Sequence, residues 1–335
     1  MSPVQGWPLD RSQEYLRRPF PSPLTQLGWY SVPQSEQPPQ PALTADHADQ
    51  GPHPWRRYVA LGDSFTEGIG DPDPRHPGYH RGWADRVAQE LARQVPTTAG
   101  ATPEQRQFAY ANLAVRGKLI EQIAADQAEP AIALNPDLIT LCAGGNDVIR
   151  PSGDPDRTAE KLDELVGRLA PTGATIVLFN GADIRDTPVV GRIRGKVAIF
   201  NENIRVVARR HDAMVADMWA LRELTRPEMW DADRLHFSSI GHHTIARMVL
   251  DTLNVPHALN PAVPAPAEPR TWRQARAEDA RWAREHLGPW VLRRLRGQSS
   301  GDGRAAKRPE AGPITDLVEA NFGQSMPLGT GPDGD

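Results

Sequence analysis

Between residues 57 and 255 short apolar runs alternate with longer amphipathic stretches. Five runs, Tyr58–Gly62, Phe108–Leu113, Leu138–Ala143, Thr175–Asn180 and Met214–Asp217, are bounded by Gly, Asn, Asp or Pro, which predicts short buried strands. The stretches between them repeat at helical spacing. Trp83, Val87 and Leu91 fall four apart, as do Leu162, Val166 and Ala170. Leu119, Ile120 and Ile123 form another stripe, Ile193, Val197, Phe200 and Ile204 a fourth, and Ile240, Thr244, Ile245, Met248 and Val249 a fifth. Each stripe predicts a helix that buries one face. Strand–helix alternation predicts an α/β domain of three αβα layers around a doubly wound parallel sheet of about five strands, because right-handed crossovers put helices on both faces. Ligands then bind beyond the carboxyl ends of the strands.

The pattern fades outside this span. Residues 1–56 hold 11 of the 33 prolines, a composition that buries too little apolar area to offset chain entropy. They read as a Pro-rich arm, whose Trp7, Tyr15, Phe20, Trp29 and Tyr30 are suited to docking on the domain or on a partner. Residues 256–269 read as a Pro/Ala linker, 270–296 as a basic Trp/Arg-rich helix, and 297–335 as a flexible tail. Residues 270–308 carry 11 Arg or Lys against 4 Asp or Glu. That net of +7 leaves about −11 on the rest of a chain whose total is −4. Trp272, Trp282 and Trp290 are large apolar groups, so the basic helix is expected to dock on the acidic domain and bury them.

Composition narrows the chemistry. One cysteine, Cys142, excludes an internal disulfide, and its apolar neighbours predict a buried thiol. His236, His242 and His243 lie close in sequence without a metal motif. No metal or organic cofactor is expected. The sequence has no apolar run long enough to span a membrane and no basic-then-apolar start typical of a secretory signal, so a cytoplasmic location is expected.

Four segments carry candidate chemistry. Gly62-Asp63-Ser64, with Gly68, closes the first predicted strand and holds a hydroxyl at the sheet edge, either a turn or cap serine or a nucleophile. Asp233 stands three residues before His236, either a surface pair or a carboxylate that orients an imidazole base. Gly144-Gly145-Asn146-Asp147 follows the third strand, either a turn or a loop whose Asn146 amide donates to an oxyanion. Asn112–Gly117 follows the second strand, and a Gly117 N–H at the start of a helix is a second candidate donor. Asp63 and Asp147 are expected to brace loops rather than react. Arg116, Arg150, Arg185 and Arg192 stand in or near the same loops, either as solvated surface groups or as binders of an anionic substrate.

All four segments fall at one sheet edge, and their order resembles that of the SGNH hydrolases, the GDSL esterase/lipase family. Gly62-Asp63-Ser64 with Gly68 matches the first family block, Gly117 the second, Gly144-x-Asn146-Asp147 the third and Asp233-x-x-His236 the last. The resemblance implies a flavodoxin-like fold and hydrolysis of acyl or acetyl esters. It implies Ser64 as nucleophile, His236 as base, Asp233 as its orienting partner, and Ser64, Gly117 and Asn146 as the oxyanion hole. Phe237 departs from the proline the family often has after the histidine. The C-terminal arm is similar to that of GDSL-type esterases from high-GC actinobacteria. The expected partner is a small-molecule ester. Two alternatives stay open: an acyltransferase using the same triad, and a non-catalytic module whose basic C-terminal arm binds nucleic acid or acidic surfaces. No nucleic-acid motif accompanies that arm, and no nucleic-acid partner is expected.

Overall fold

The computed structural model describes residues 53–74, 76–95, 107–185, 187, 190–262, 264, 271–289 and 299–314. The chain divides into two compact units, Met1–His47 and Ala48–Asp335, and all described residues lie in the second. The N-terminal aromatics from Trp7 to Tyr30, and Trp290, lie outside the described residues.

The chain follows the order β1 (Arg57–Gly62), α1 (Ser64–Glu67), α2 (Gly82–Arg93), β2 (Ala109–Asn112), α3 (Ile120–Asp126), α4 (Ala128–Ala133), β3 (Leu138–Cys142), α5 (Gly145–Val148), α6 (Pro155–Leu169), β4 (Thr175–Phe179), α7 (Arg194–Arg210), β5 (Met214–Ala216), α8 (Ser239–Thr252), α9 (Trp272–Trp282) and β6 (Arg308–Gly312). The sheet order is β5-β4-β3-β1-β2-β6. The five strands expected from the apolar runs pair in parallel, with Val59 opposite Ala111 and Ile139, Ile139 opposite Ile176, and Val177 opposite Met214.

Alternation along these strands divides the core. Tyr58, Ala60, Tyr110 and Val177 face α2 and α8, whereas Val59, Leu61, Ala111, Ile139 and Leu178 face α3, α4, α6 and α7. Successive side chains point to opposite faces, and both faces are covered, so the strands read as unbroken apolar runs. Local signals set the helix starts. Asp154 accepts from the Asp156 N–H at 2.9 Å with Pro155 in the first turn of α6, and Ser238 caps α8 through the Gly241 N–H. Both fit the usual N-terminal chemistry.

The sixth strand comes from the stretch expected to be a flexible tail. Arg308–Gly312 runs antiparallel to β2, with Tyr110 opposite Gly312. Its sequence, Arg-Pro-Glu-Ala-Gly, has no strand pattern. The open edge of β2 supplies the pairing, and a proline is tolerated on an edge strand. Lys307 fixes it in place. Its ammonium donates to the His80 and Arg81 carbonyls and to Asp85, each at 2.9 Å, and the Asp85 side chain is fully buried. Among the described residues no helix is long and apolar enough to cross a membrane.

Candidate active site

Strand β1 ends at Gly62, whose φ of +148° is glycine territory. A Cβ there would stand 2.6 Å from both the Cys142 carbonyl and the Thr66 hydroxyl, so only glycine lets the chain turn so close to β3. Gln127 clamps this turn, accepting from the Gly62 N–H at 2.9 Å and donating to its carbonyl at 2.8 Å. Asp63 caps α1 by accepting from the Phe65 N–H at 3.1 Å. Ser64 is thereby fixed, half-buried, at the first position of α1.

The imidazole comes from a tight loop between β5 and α8. The Asp231 N–H donates to the His236 carbonyl at 2.8 Å, and Asp233 accepts from the Leu235 and His236 N–H groups, both at 2.9 Å. The other carboxylate oxygen of Asp233 lies 2.5 Å from His236 Nδ1. Burial raises this carboxyl, but the His236 hydrogen bond and charge and the two backbone N–H groups outweigh it and hold it at about 2. An ionised carboxylate only accepts, so Nδ1 carries its proton and Nε2 is left as acceptor. His236 Nε2 lies 3.0 Å from Ser64 Oγ. The structure thus brings Ser64, His236 and Asp233 into one hydrogen-bonded chain across 172 residues of sequence.

Phe237, the departure from the family pattern, is buried, its ring centre 4.4 Å from that of Trp230 in a tilted contact and 5.7 Å from that of Phe65 edge to face. It ties the histidine loop to the aromatic cluster beside Ser64. Of the neighbouring histidines, His242 is buried, accepting from the Trp83 N–H at 3.2 Å and donating to the Ile69 carbonyl at 3.0 Å. His243 lies on the outer side of α8 against the Asn260 carbonyl.

Asn146, in α5, reaches the same cavity as Ser64 and His236. Its amide donates to Asp63 at 2.8 Å and to the Lys118 carbonyl at 3.1 Å. Burial pushes Asp63 up to about 6, against the pull of the Phe65 N–H, His236 and Asn146. Asp147 accepts from the Ile120 N–H at 3.0 Å and so starts α3. Both aspartates brace loops. Cys142 lines the cavity, and burial, aided by the Asp63 charge, pushes its thiol well up.

Gly117 lies outside that lining. Its φ is +75°, and the space a Cβ would take is filled by Ser299, with the Ser300 hydroxyl 3.3 Å away. The loop around it is held by Glu67, which accepts from the Arg116 N–H at 2.6 Å and pairs with its guanidinium. Arg116 is therefore a loop brace. Arg185 likewise joins Arg194 and Arg222 on the buried Asp183 carboxylate, which this cluster holds below the usual range.

The sequence reading missed two contributors, Glu67 and the cavity wall, and the contact that Trp282 makes. Glu67 sits inside the first block but carries no motif of its own. The cavity wall, including Ile149, Phe179, Val197, Met218 and Trp230, is dispersed over five segments. Trp282 touches the Asp233–His236 loop, donating from Nε1 to the Asp233 carbonyl at 2.8 Å. Arg234 lies 5.1 Å over its ring and 2.7 Å from Asp279. Helix α9 docks as expected through Trp282, which is 8% exposed, but Trp272 is 70% exposed. Three buried tryptophans are thus not found: Trp272 sits at the first turn, away from the loop, and stacks on Arg276 of its own helix.

Comparison with solved structures finds similar chains. One is LAE5, an alpha/beta hydrolase enzyme from the metagenome of Lake Arreo, Spain, 24% identical over 58% of this chain and 93% of that one, with a TM-score of 0.44. Another is the acetylxylan esterase Axe2 from Geobacillus stearothermophilus, 20% identical over 59% and 94%, with a TM-score of 0.45. A third is a lipase/acylhydrolase from Enterococcus faecalis, 19% identical over 62% and 100%, with a TM-score of 0.46. No curated protein matches. Residues 60–244, more than half of the chain and every motif segment described above, match the GDSL-like Lipase/Acylhydrolase family, to which this chain belongs.

Proposed function

We propose that this ester-bond hydrolase works through an acyl-enzyme formed on Ser64. Ser64 Oγ attacks the ester carbonyl while His236 Nε2 takes its proton. The same nitrogen then protonates the departing alkoxide, and the alcohol leaves. Asp233 keeps the imidazole in the productive tautomer and stabilises its transient positive charge. Water, deprotonated by His236, attacks the acyl-enzyme and releases the acid and Ser64.

The Ser64 and Gly117 N–H groups and the Asn146 amide are assigned to the oxyanion that develops in both steps. Asn146 already donates to Asp63 and to the Lys118 carbonyl. It serves the oxyanion by turning away from the neutral carbonyl while Asp63 keeps its hold. The substrate class is carboxylic esters, acyl or acetyl.

The observation that carries this reading is the Asp233–His236–Ser64 chain, with links of 2.5 and 3.0 Å. A fluorophosphonate is expected to label Ser64 and no other residue, and Ser64→Ala to abolish both labelling and p-nitrophenyl ester hydrolysis in a folded protein. Wild-type turnover by folded Ser64→Ala overturns the mechanism.

A further inference from the structure

Ser64, His236 and Asn146 line a cavity of about 230 Å³. Most of the rest of its wall is aliphatic and aromatic, with Ile149, Phe179, Ile184, Val197, Met218 and Trp230 contributed by strand ends, by α7 and by the loops between them. The polar side chains in that wall are already engaged. Asn180 donates to Asp217 at 2.6 Å and accepts from the Trp219 N–H at 3.2 Å. Arg234 is paired with Asp279 and stacked on Trp282. A sugar ring or a charged acyl group finds few partners there, whereas an alkyl chain displaces poorly held water.

Which half of the ester enters follows from the reaction order. The acyl group stays attached to Ser64 through both half-reactions, while the alcohol must leave and water must come in. The apolar wall beside Ser64 suits the group that stays. At roughly 30 Å³ for each non-hydrogen atom, the cavity holds on the order of eight.

We infer that this cavity is an acyl subsite and that the natural substrates are esters of medium-chain fatty acids, roughly six to ten carbons long. This rests on Ser64 being the nucleophile. An acetyl group leaves most of the apolar wall wet. Each added methylene that reaches the wall is expected to raise kcat/KM by about fourfold, equivalent to ~0.8 kcal/mol, until the cavity is full.

The test is a series of p-nitrophenyl esters from acetyl to palmitoyl on the full chain, with octyl acetate as the inverse ester and fluorophosphonate labelling of Ser64 run alongside. The expected profile climbs at least tenfold from acetyl to a maximum near octanoyl and falls again by palmitoyl. Val197→Trp narrows the cavity and should lower kcat/KM for octanoyl relative to acetyl at least tenfold, moving the maximum shorter by two or more carbons. Should that variant fail to fold, Met218→Phe asks the same question from another position in the wall. A maximum at acetyl with normal labelling overturns the inference and leaves the serine mechanism standing, as does octyl acetate outpacing p-nitrophenyl octanoate. Failure of every ester together with absent labelling overturns the mechanism, and the acyl subsite with it.

Discussion

The Ser64 turn and the Asp233–His236 loop meet across 3.0 Å, yet they are held from opposite directions. The Ser64 turn is locked from within the sheet. Gln127 clamps Gly62, Asp63 caps α1, and Asn112 donates to the Thr66 carbonyl at 2.9 Å. All of these lie in the family-matched residues 60–244. The histidine loop is braced inside by its own Asp233 and by Phe237, and outside by Trp282 and Asp279, beyond that span. The Gly117 loop shows the same division, with Glu67 on one side and Ser299 on the other. The proposed nucleophile thus sits wholly within the family-matched span, whereas the proposed base and one assigned oxyanion donor also rest on residues beyond it.

The largest effect should come from the anchor of that C-terminal segment. Lys307→Ala leaves the fully buried Asp85 carboxylate without its cation. Breaking a buried pair from one side costs about 3–5 kcal/mol. Melting temperature should fall by roughly 10 °C, at about 2–4 °C for each kcal/mol in a domain of this size. Asp85→Asn combined with Lys307→Met should recover most of the loss, because no charge is then stranded. An unchanged melting temperature for Lys307→Ala breaks the comparison at its base, since the strap would then be dispensable.

Next in size is the site itself. Asn146→Ala should lower kcat by roughly 10²–10³, a loss of about 3–4 kcal/mol, with little change in KM. In the proposed role the amide bonds the oxyanion more strongly than the ground-state ester. A tenfold rise in KM at constant kcat instead makes Asn146 a substrate-binding residue and moves the oxyanion burden toward Gly117, the C-terminally supported side.

The core strands and motif blocks were legible because their physics is local. Runs such as Leu138–Cys142 are apolar enough to be buried on both faces, and the observed strand ends fall within two residues of those expected. The Asp233-x-x-His236 spacing closes within one loop, so the pair could be read without its neighbours. Strand β6 was illegible because Arg-Pro-Glu-Ala-Gly pairs only where the edge of β2 awaits it. Trp272 and Trp282 look alike in sequence, and only the placement of α9 against Asp233 decides that one is buried and the other exposed. The cavity wall was hidden for a similar reason: Val197 and Phe200 fit a plain helix stripe, and their service to the site depends on α7 starting beside the ends of β3 and β4.

Acid should probe the core-held side. His242 is buried and uncharged between the Trp83 N–H and the Ile69 carbonyl, and burial lowers it to about 4 even though Asp71 pulls it up. The unfolded chain protonates this imidazole near 6.5. Between those values the unfolded state binds more protons, so His242 makes stability fall as pH drops from about 6.5 to 4. Asp71 stays ionised through that window, because Arg86 outweighs burial and holds it at about 2. Burial moves His53 and His243 in the same direction, while Asp63, raised to about 6, works in the opposite sense below that pH. His242→Gln should therefore be less stable than wild type at pH 7 and show a flatter decline toward pH 4 in denaturant titrations. Equal slopes for the two proteins remove His242 as a source of acid sensitivity.

The smallest effect tests the external support directly. Trp282→Phe keeps a buried ring under Arg234 but removes the Nε1–H bond to the Asp233 carbonyl. One such bond contributes about 1 kcal/mol. Loosening Asp233 lets His236 stray from Ser64, so kcat should fall roughly three- to tenfold with KM unchanged. A general loss of packing would lower the melting temperature without slowing the reaction of the remaining folded enzyme. A positioning role makes a sharper demand: the rate of fluorophosphonate labelling at Ser64 should drop by the same factor as kcat, because both need the imidazole in place. Trp272→Ala is the internal control. Its ring is 70% exposed and stacks on Arg276 of its own helix, so labelling and hydrolysis should stay at wild-type rates. If Trp282→Phe behaves like Trp272→Ala, the histidine loop holds itself through Asp233 and Phe237, and both halves of the site are supported from within.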